Sequence, residues 1–146
     1  MDNEPEEQYI EVGIGKERYA FRIHEIHEII KMQHITEIPN SLSYLNGVIN
    51  LRGHIVPIIS LRKRFGSPEE AHTKATRIVV VNHADEMVGI VVDQVNQVTT
   101  FADIQPPPDR IGSVKGSFFE GIGCTETGLV SILRLEEILR LQEETG

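Results

Sequence analysis

Apolar and polar residues alternate with a period of two from Tyr9 to Ile14, placing Ile10, Val12 and Ile14 on one face and Tyr9, Glu11 and Gly13 on the other. After Gly15-Lys16-Glu17 the alternation resumes over Arg18–Ile23, with Tyr19, Phe21 and Ile23 set against Arg18, Ala20 and Arg22. This is the pattern of a β-hairpin. The period then changes. Ile23, Ile26 and Ile30 stand three and four positions apart, which predicts a short helix or helical turn over His24–Ile30 leading into a strand near Glu28–Ile35. The same residues also fit a strand from Ile29 onward. Pro39-Asn40-Ser41 breaks the chain, and Ser41–Leu45 reads as one helical turn leading into Gly47.

The segment GVINLRGHIVPIISLRKRFG, from Gly47 to Gly66, carries two short apolar strands, Val48–Leu51 and His54–Ile59, around the pair Arg52-Gly53. Glycine accepts positive φ without steric cost, so Arg-Gly serves as a tight turn. A turn presents the Arg52 guanidinium, with its fixed fork of donors, at the end of a rigid β element. A lone exposed arginine is more often a solubilising charge than a binding group, and composition does not separate the two. Pro57 removes a ladder donor from the second strand, which predicts an edge strand or a bulge there. Ser60 is placed to cap a short turn over Leu61–Phe65.

Beyond a polar loop, Arg77–Asn82 and Met87–Asp93 form the strongest hairpin pattern, around Ala84-Asp85. Their near-continuous Val and Ile predict burial on both faces. Val95–Phe101 continues as strand, and Pro106-Pro107-Pro108 fixes an extended connector. Glycines 112, 116, 121, 123 and 128 mark tightly curved strands, Leu129–Leu133 is the last strand, and Leu135, Ile138 and Leu139 stripe a closing helix. Roughly nine or ten short strands with frequent turns favour an all-β barrel or sandwich.

The length of 146 residues suits one domain with its own core. Residues 1–8, acidic and without bulky side chains except Met1, are expected to be disordered ahead of a domain over 9–146. The net charge of −8 argues against a nucleic-acid backbone as partner. A small nucleic-acid-binding β-barrel is the alternative reading, but it needs aromatic platforms among basic residues, and this chain has no Trp. The single cysteine, Cys124, excludes an internal disulfide, and the acidic start is unlike a signal peptide. An intracellular setting without membrane insertion is expected.

Chemistry is sparse. His24-Glu25-Ile26-His27-Glu28 lacks the second His four positions after the first that a zinc-protease helix requires. Gly13-Ile14-Gly15 and Gly121-Ile122-Gly123 are not dinucleotide fingerprints. No catalytic set, metal site or cofactor is expected. A rigid turn arginine with apolar anchors is instead the usual material of a protein interface.

Taken in order, GVINLRGHIVPIISLRKRF at Gly47–Phe65, the N-terminal hairpin with Tyr19, Ile26–Ile29, VGIVVD at Val88–Asp93 with Val95, and the helix Leu135–Leu139 resemble the CheW family of bacterial chemotaxis scaffold proteins. The resemblance spans about Tyr9 to Leu141. It implies two intertwined five-stranded SH3-like β-barrels with a short C-terminal helix. It also implies a non-catalytic adaptor coupling the cytoplasmic tips of methyl-accepting chemoreceptors to the regulatory domain of a CheA-type histidine kinase. The setting would be cytoplasmic, recruited to membrane receptor arrays. Carried over by position, Arg52 would contact receptor, Ile26 and Glu28 would lie in the receptor-facing segment, and Asn50 and Gly53 would serve the turn or the partner. Two departures are Ser60, where the family often has Asp, and Arg134, where it usually offers Asn or Asp. Losing the acceptor at Arg134 costs about 1 kcal/mol of helix stability.

Overall fold

Tight turns with positive φ join the antiparallel pairs. In the computed structural model, which describes residues 7–39, 43–111 and 114–140, Ala84 and Asp85 adopt φ of 51° and 64°. Two successive left-handed residues make the twist-matched two-residue hairpin turn. The strands in the first half are β1 Tyr9–Ile14, β2 Glu17–Arg22, β3 Ile26–Lys31, β4 Leu45–Leu51 and β5 His54–Ser60, followed by the one-turn helix α1 Leu61–Arg64. Then come β6 Arg77–His83, β7 Glu86–Val92, β8 Gln94–Thr99, β9 Asp103–Gln105, β10 Arg110–Ile111, β11 Val114–Lys115, β12 Phe119–Thr125, β13 Gly128–Leu133 and α2 Leu135–Ile138.

Two sheets carry the fold: β3-β6-β7-β5-β4 with five strands, and β8-β1-β2-β13-β12-β9 with six. The chain starts in the six-stranded sheet, builds the whole five-stranded sheet between β2 and β8, and returns. This is the intertwining of two SH3-like barrels. Past β3, Thr36 exchanges two 2.9 Å backbone hydrogen bonds with Val48 of β4, bringing the two edges of the five-stranded sheet together.

Alternation along β6 shows why its centre, Ile78 to Val81, is apolar on both faces. Val79 and Val81 face a core shared with Ile10, Val12 and Phe21 of the other sheet, whereas Ile78 and Val80 face a second core inside the five-stranded barrel. The crossing from β7 to β8 is pinned at Asp93, whose Oδ2 accepts from Arg62 Nη2 and from the Gly15 amide, each at 2.6 Å. Buried Glu11 is likewise saturated, accepting from Arg18, Asn96 and Gln97 across three strands.

Several expectations need correction. The short helix or helical turn expected over His24–Ile30 is a single 3-10 turn at Ile23–Glu25, and β3 begins at Ile26, two residues before the expected strand. Nor is β5 an edge, since it lies between β4 and β7. Its parallel ladder with β7 starts at Ile58, one residue beyond Pro57, so the missing N–H is tolerated. The bulge sits on the partner strand, between Leu45 and Gly47. Ser43 and Tyr44 form a turn, whereas residues 41 and 42 of the expected helical turn lie outside the described residues. So do residues 1–6 of the expected disordered segment; Glu7 pairs with His24, and the Gln8 carbonyl accepts from the Ile23 amide. Ser60 does cap α1, accepting from the Lys63 amide at 3.1 Å, while its hydroxyl donates to Glu69. Arg134 provides no side-chain cap for α2. Arg64 instead serves the other end of that helix, donating to the Ile138 and Glu137 carbonyls.

Candidate functional site at the β4–β5 turn

Leu51 and His54 face each other as the last paired residues of β4 and β5, leaving Arg52 and Gly53 to make the turn. Both have positive φ, 51° and 88°. Gly53 meets no steric objection, but an L-residue in this region costs about 1–2 kcal/mol. Part of the compensation is local: Asn50 Oδ1 accepts the Gly53 amide at 2.8 Å. Asn50 and Gly53 are therefore turn-forming residues by geometry.

Across the barrel mouth stands Glu28, on the opposite edge strand β3. Arg52 Nη2 donates to Glu28 Oε1 at 2.8 Å and to Oε2 at 2.7 Å. The Arg52 side chain is 63% exposed and that of Glu28 27%. An ion pair this exposed contributes at most about 1 kcal/mol, because water screens it and two side chains lose freedom. Its effect is orientation. One nitrogen is held by Glu28, while Nε and Nη1 make no hydrogen bond to a described residue.

Ile26 does not join this pair. A bulge at His27 sets Ile26 opposite Val81 but Glu28 opposite Val80, two residues that face different cores. Ile26 is half-buried against the shared core, and Glu28 falls on the barrel-interior face at its rim. An apolar residue not anticipated from sequence stands on the outer face of the same hairpin: Ile55, 65% exposed, directly opposite Asn50. Its signal was the alternation itself, since buried Val56 leaves Ile55 on the outward face.

Other chemistry does not assemble. Among the described residues no three of His, Cys, Asp and Glu converge as metal ligands, and no helix is long and apolar enough to cross a membrane. Tyr19, Phe65, Phe118 and Phe119 pack against one another, with centroids 5.6–6.2 Å apart, so they are not free stacking platforms. Cys124 is half-buried, and burial, followed by Asp103, pushes its thiol pKa up.

Residues 8–143 match the family model of the CheW-like domain. The chain belongs to the CheW family. It is 41% identical over 141 residues to the chemotaxis protein CheW of Helicobacter pylori, covering 95% of this chain and 85% of that protein. The CheW of Bacillus subtilis is 36% identical over 127 residues, 86% of this chain and 81% of the relative. The scaffolding protein TtCheW of Thermoanaerobacter tengcongensis superposes with a TM-score of 0.88 at 30% identity, covering 97% and 93% of the two chains. CheW proteins are chemotaxis scaffolds, and this CheW-family chain is not an enzyme.

Proposed function

We propose that the chain is an adaptor coupling transmembrane chemoreceptors to a CheA-type histidine kinase, with the Arg52 end of the five-stranded barrel docking on the receptor's cytoplasmic tip. The observation that carries this reading is an exposed arginine kept in a left-handed turn and aimed by Glu28. Glycine would fit the turn with less strain, and the ion pair adds little stability. Such strain at a surface position points to function. Ile55, exposed on the outer face of the same hairpin, adds an apolar anchor to the exposed guanidinium, and the two residue types are those of an interface hot spot. In this reading Arg52 touches the partner, Glu28 aims it, and Asn50 with Gly53 shapes the turn. Ile26 acts by seating β3 on the shared core.

The protein then works in the cytoplasm, held at receptor arrays by its partners, and binds neither nucleic acid nor cofactor. The test is reconstitution: receptor fragment and kinase with and without the chain. Kinase activity should respond to receptor only in its presence. An equal response without it would remove the adaptor reading.

A further inference from the structure

A second surface lies at the other end of the β4–β5 hairpin. β4 runs from Tyr44 toward Arg52, and β5 runs back from the turn to α1. Seven residues of strand separate the two ends by about 20 Å. There a groove of about 490 Å³ opens between α1, β11 and the end of α2.

Its charge is opposite to that of the molecule. The chain carries −8, yet Lys63, Arg64, Lys115 and Arg140 line this groove against a single carboxylate, Glu137. Glu137 is already bound to Arg140 at 2.7 Å. Lys63 and Lys115 are exposed and have no acidic partner among the described residues. Arg64 is fixed rather than solvated. Its guanidinium carbon stands 4.6 Å from the Tyr44 ring centroid and 4.8 Å from that of Phe118, and Nε and Nη2 hold carbonyls of α2. Nη1 remains without a hydrogen bond to a described residue. The groove thus combines a locked guanidinium, two ammonium groups unpaired among the described residues, and aromatic walls.

We infer that this groove binds an acidic peptide segment of a partner protein, its carboxylates meeting Lys63, Lys115 and Arg64 and an apolar side chain lying against Tyr44 and Phe118. The cations come from three parts of the fold, α1 with Lys63 and Arg64, β11 with Lys115 and the end of α2 with Arg140, which suits several carboxylates along a strand of peptide better than a single small anion. A nucleic-acid backbone would meet four cations and then an acidic surface, so long-range repulsion disfavours it. The inference is independent of what Arg52 touches.

The test uses the full chain and a fluorescein-labelled Glu-Glu-Phe-Glu-Glu peptide, followed by fluorescence anisotropy. Saturable binding is expected, weakening as salt is raised. It should fall about tenfold or more in Lys63→Glu/Lys115→Glu, through lost attraction and added repulsion. It should stay unchanged in Arg52→Ala. Both lysines are solvent-exposed, so the double variant should melt with the parent, and circular dichroism checks this. Absence of saturable binding, or equal binding by a folded double variant, overturns the inference. Self-association that is abolished by the double variant, without peptide binding, overturns it too and assigns the groove to a second copy of the chain.

Discussion

Arg62 and Asp93 join the two barrels through one contact, Nη2 to Oδ2 at 2.6 Å, with the Arg62 side chain only 14% exposed. Arg62 belongs to α1, whereas Asp93 marks the chain's return to the six-stranded sheet and also holds the Gly15 amide. Removing the carboxylate leaves a largely buried guanidinium with Glu70, 4.0 Å away, as its remaining carboxylate.

Asp93→Ala should therefore destabilise the protein by about 2 kcal/mol, the usual contribution of a hydrogen bond to a charged group. This corresponds to a fall of roughly 6 °C in melting temperature for a chain of this size. Thermal unfolding by circular dichroism measures it. A change within about 0.5 kcal/mol, typical of a surface substitution, would show the contact to be incidental.

Glu11 predicts an acid limit to stability. Hydrogen bonding from Arg18, opposed by burial and reinforced by Asn96 and Gln97, lowers its pKa below the ordinary 4.5. A depressed carboxylate stabilises the fold above its unfolded pKa and loses that contribution as pH falls through the folded value. Denaturant midpoints should fall below about pH 4.5 more steeply in the parent than in Glu11→Gln. Parallel profiles would contradict the assignment.

Glu25 has the opposite sign. Burial first, and Glu120 second, raise its pKa, and its Oε1 is buried without a hydrogen bond. A raised carboxylate favours the folded state while protonated, and this advantage is lost as pH rises through the folded pKa. Glu25→Gln should melt higher than the parent at pH 7, with the gain shrinking toward pH 4. A lower melting temperature at pH 7 would mean that the charged form is what the site stabilises.

Sequence patterns expose these sites unequally. The β1–β2 and β6–β7 hairpins follow from period-two alternation and turn residues, and the Ser60 cap from local chemistry. A strand near Glu28–Ile35 was legible, but the start of β3 at Ile26 was hidden because irregularities there imitate a helix. The 3-10 turn spaces Ile23 from Ile26, and the bulge at His27 spaces Ile26 from Ile30, producing intervals of three and four within a mainly extended segment. The same bulge separates Ile26 from Glu28, which no linear pattern reveals. Arg52 was legible as a presented turn residue, but its pairing with Glu28, 24 positions earlier, depends on the barrel bringing its two edge strands together. The Lys63–Lys115 groove is still less legible, since its walls meet only when α1, β11 and α2 are packed.

The most direct measurement for the Arg52 turn pairs melting with receptor-fragment affinity on one Arg52→Gly preparation. Glycine relieves a left-handed residue, worth about 1 kcal/mol, and forfeits an exposed ion pair worth at most about as much. Melting should therefore hold or rise. Losing an interface arginine should weaken binding by on the order of 2 kcal/mol, about thirtyfold in affinity. Unchanged affinity would return Arg52 to the role of a solvated turn charge, and a marked fall in melting temperature would make it a structural residue.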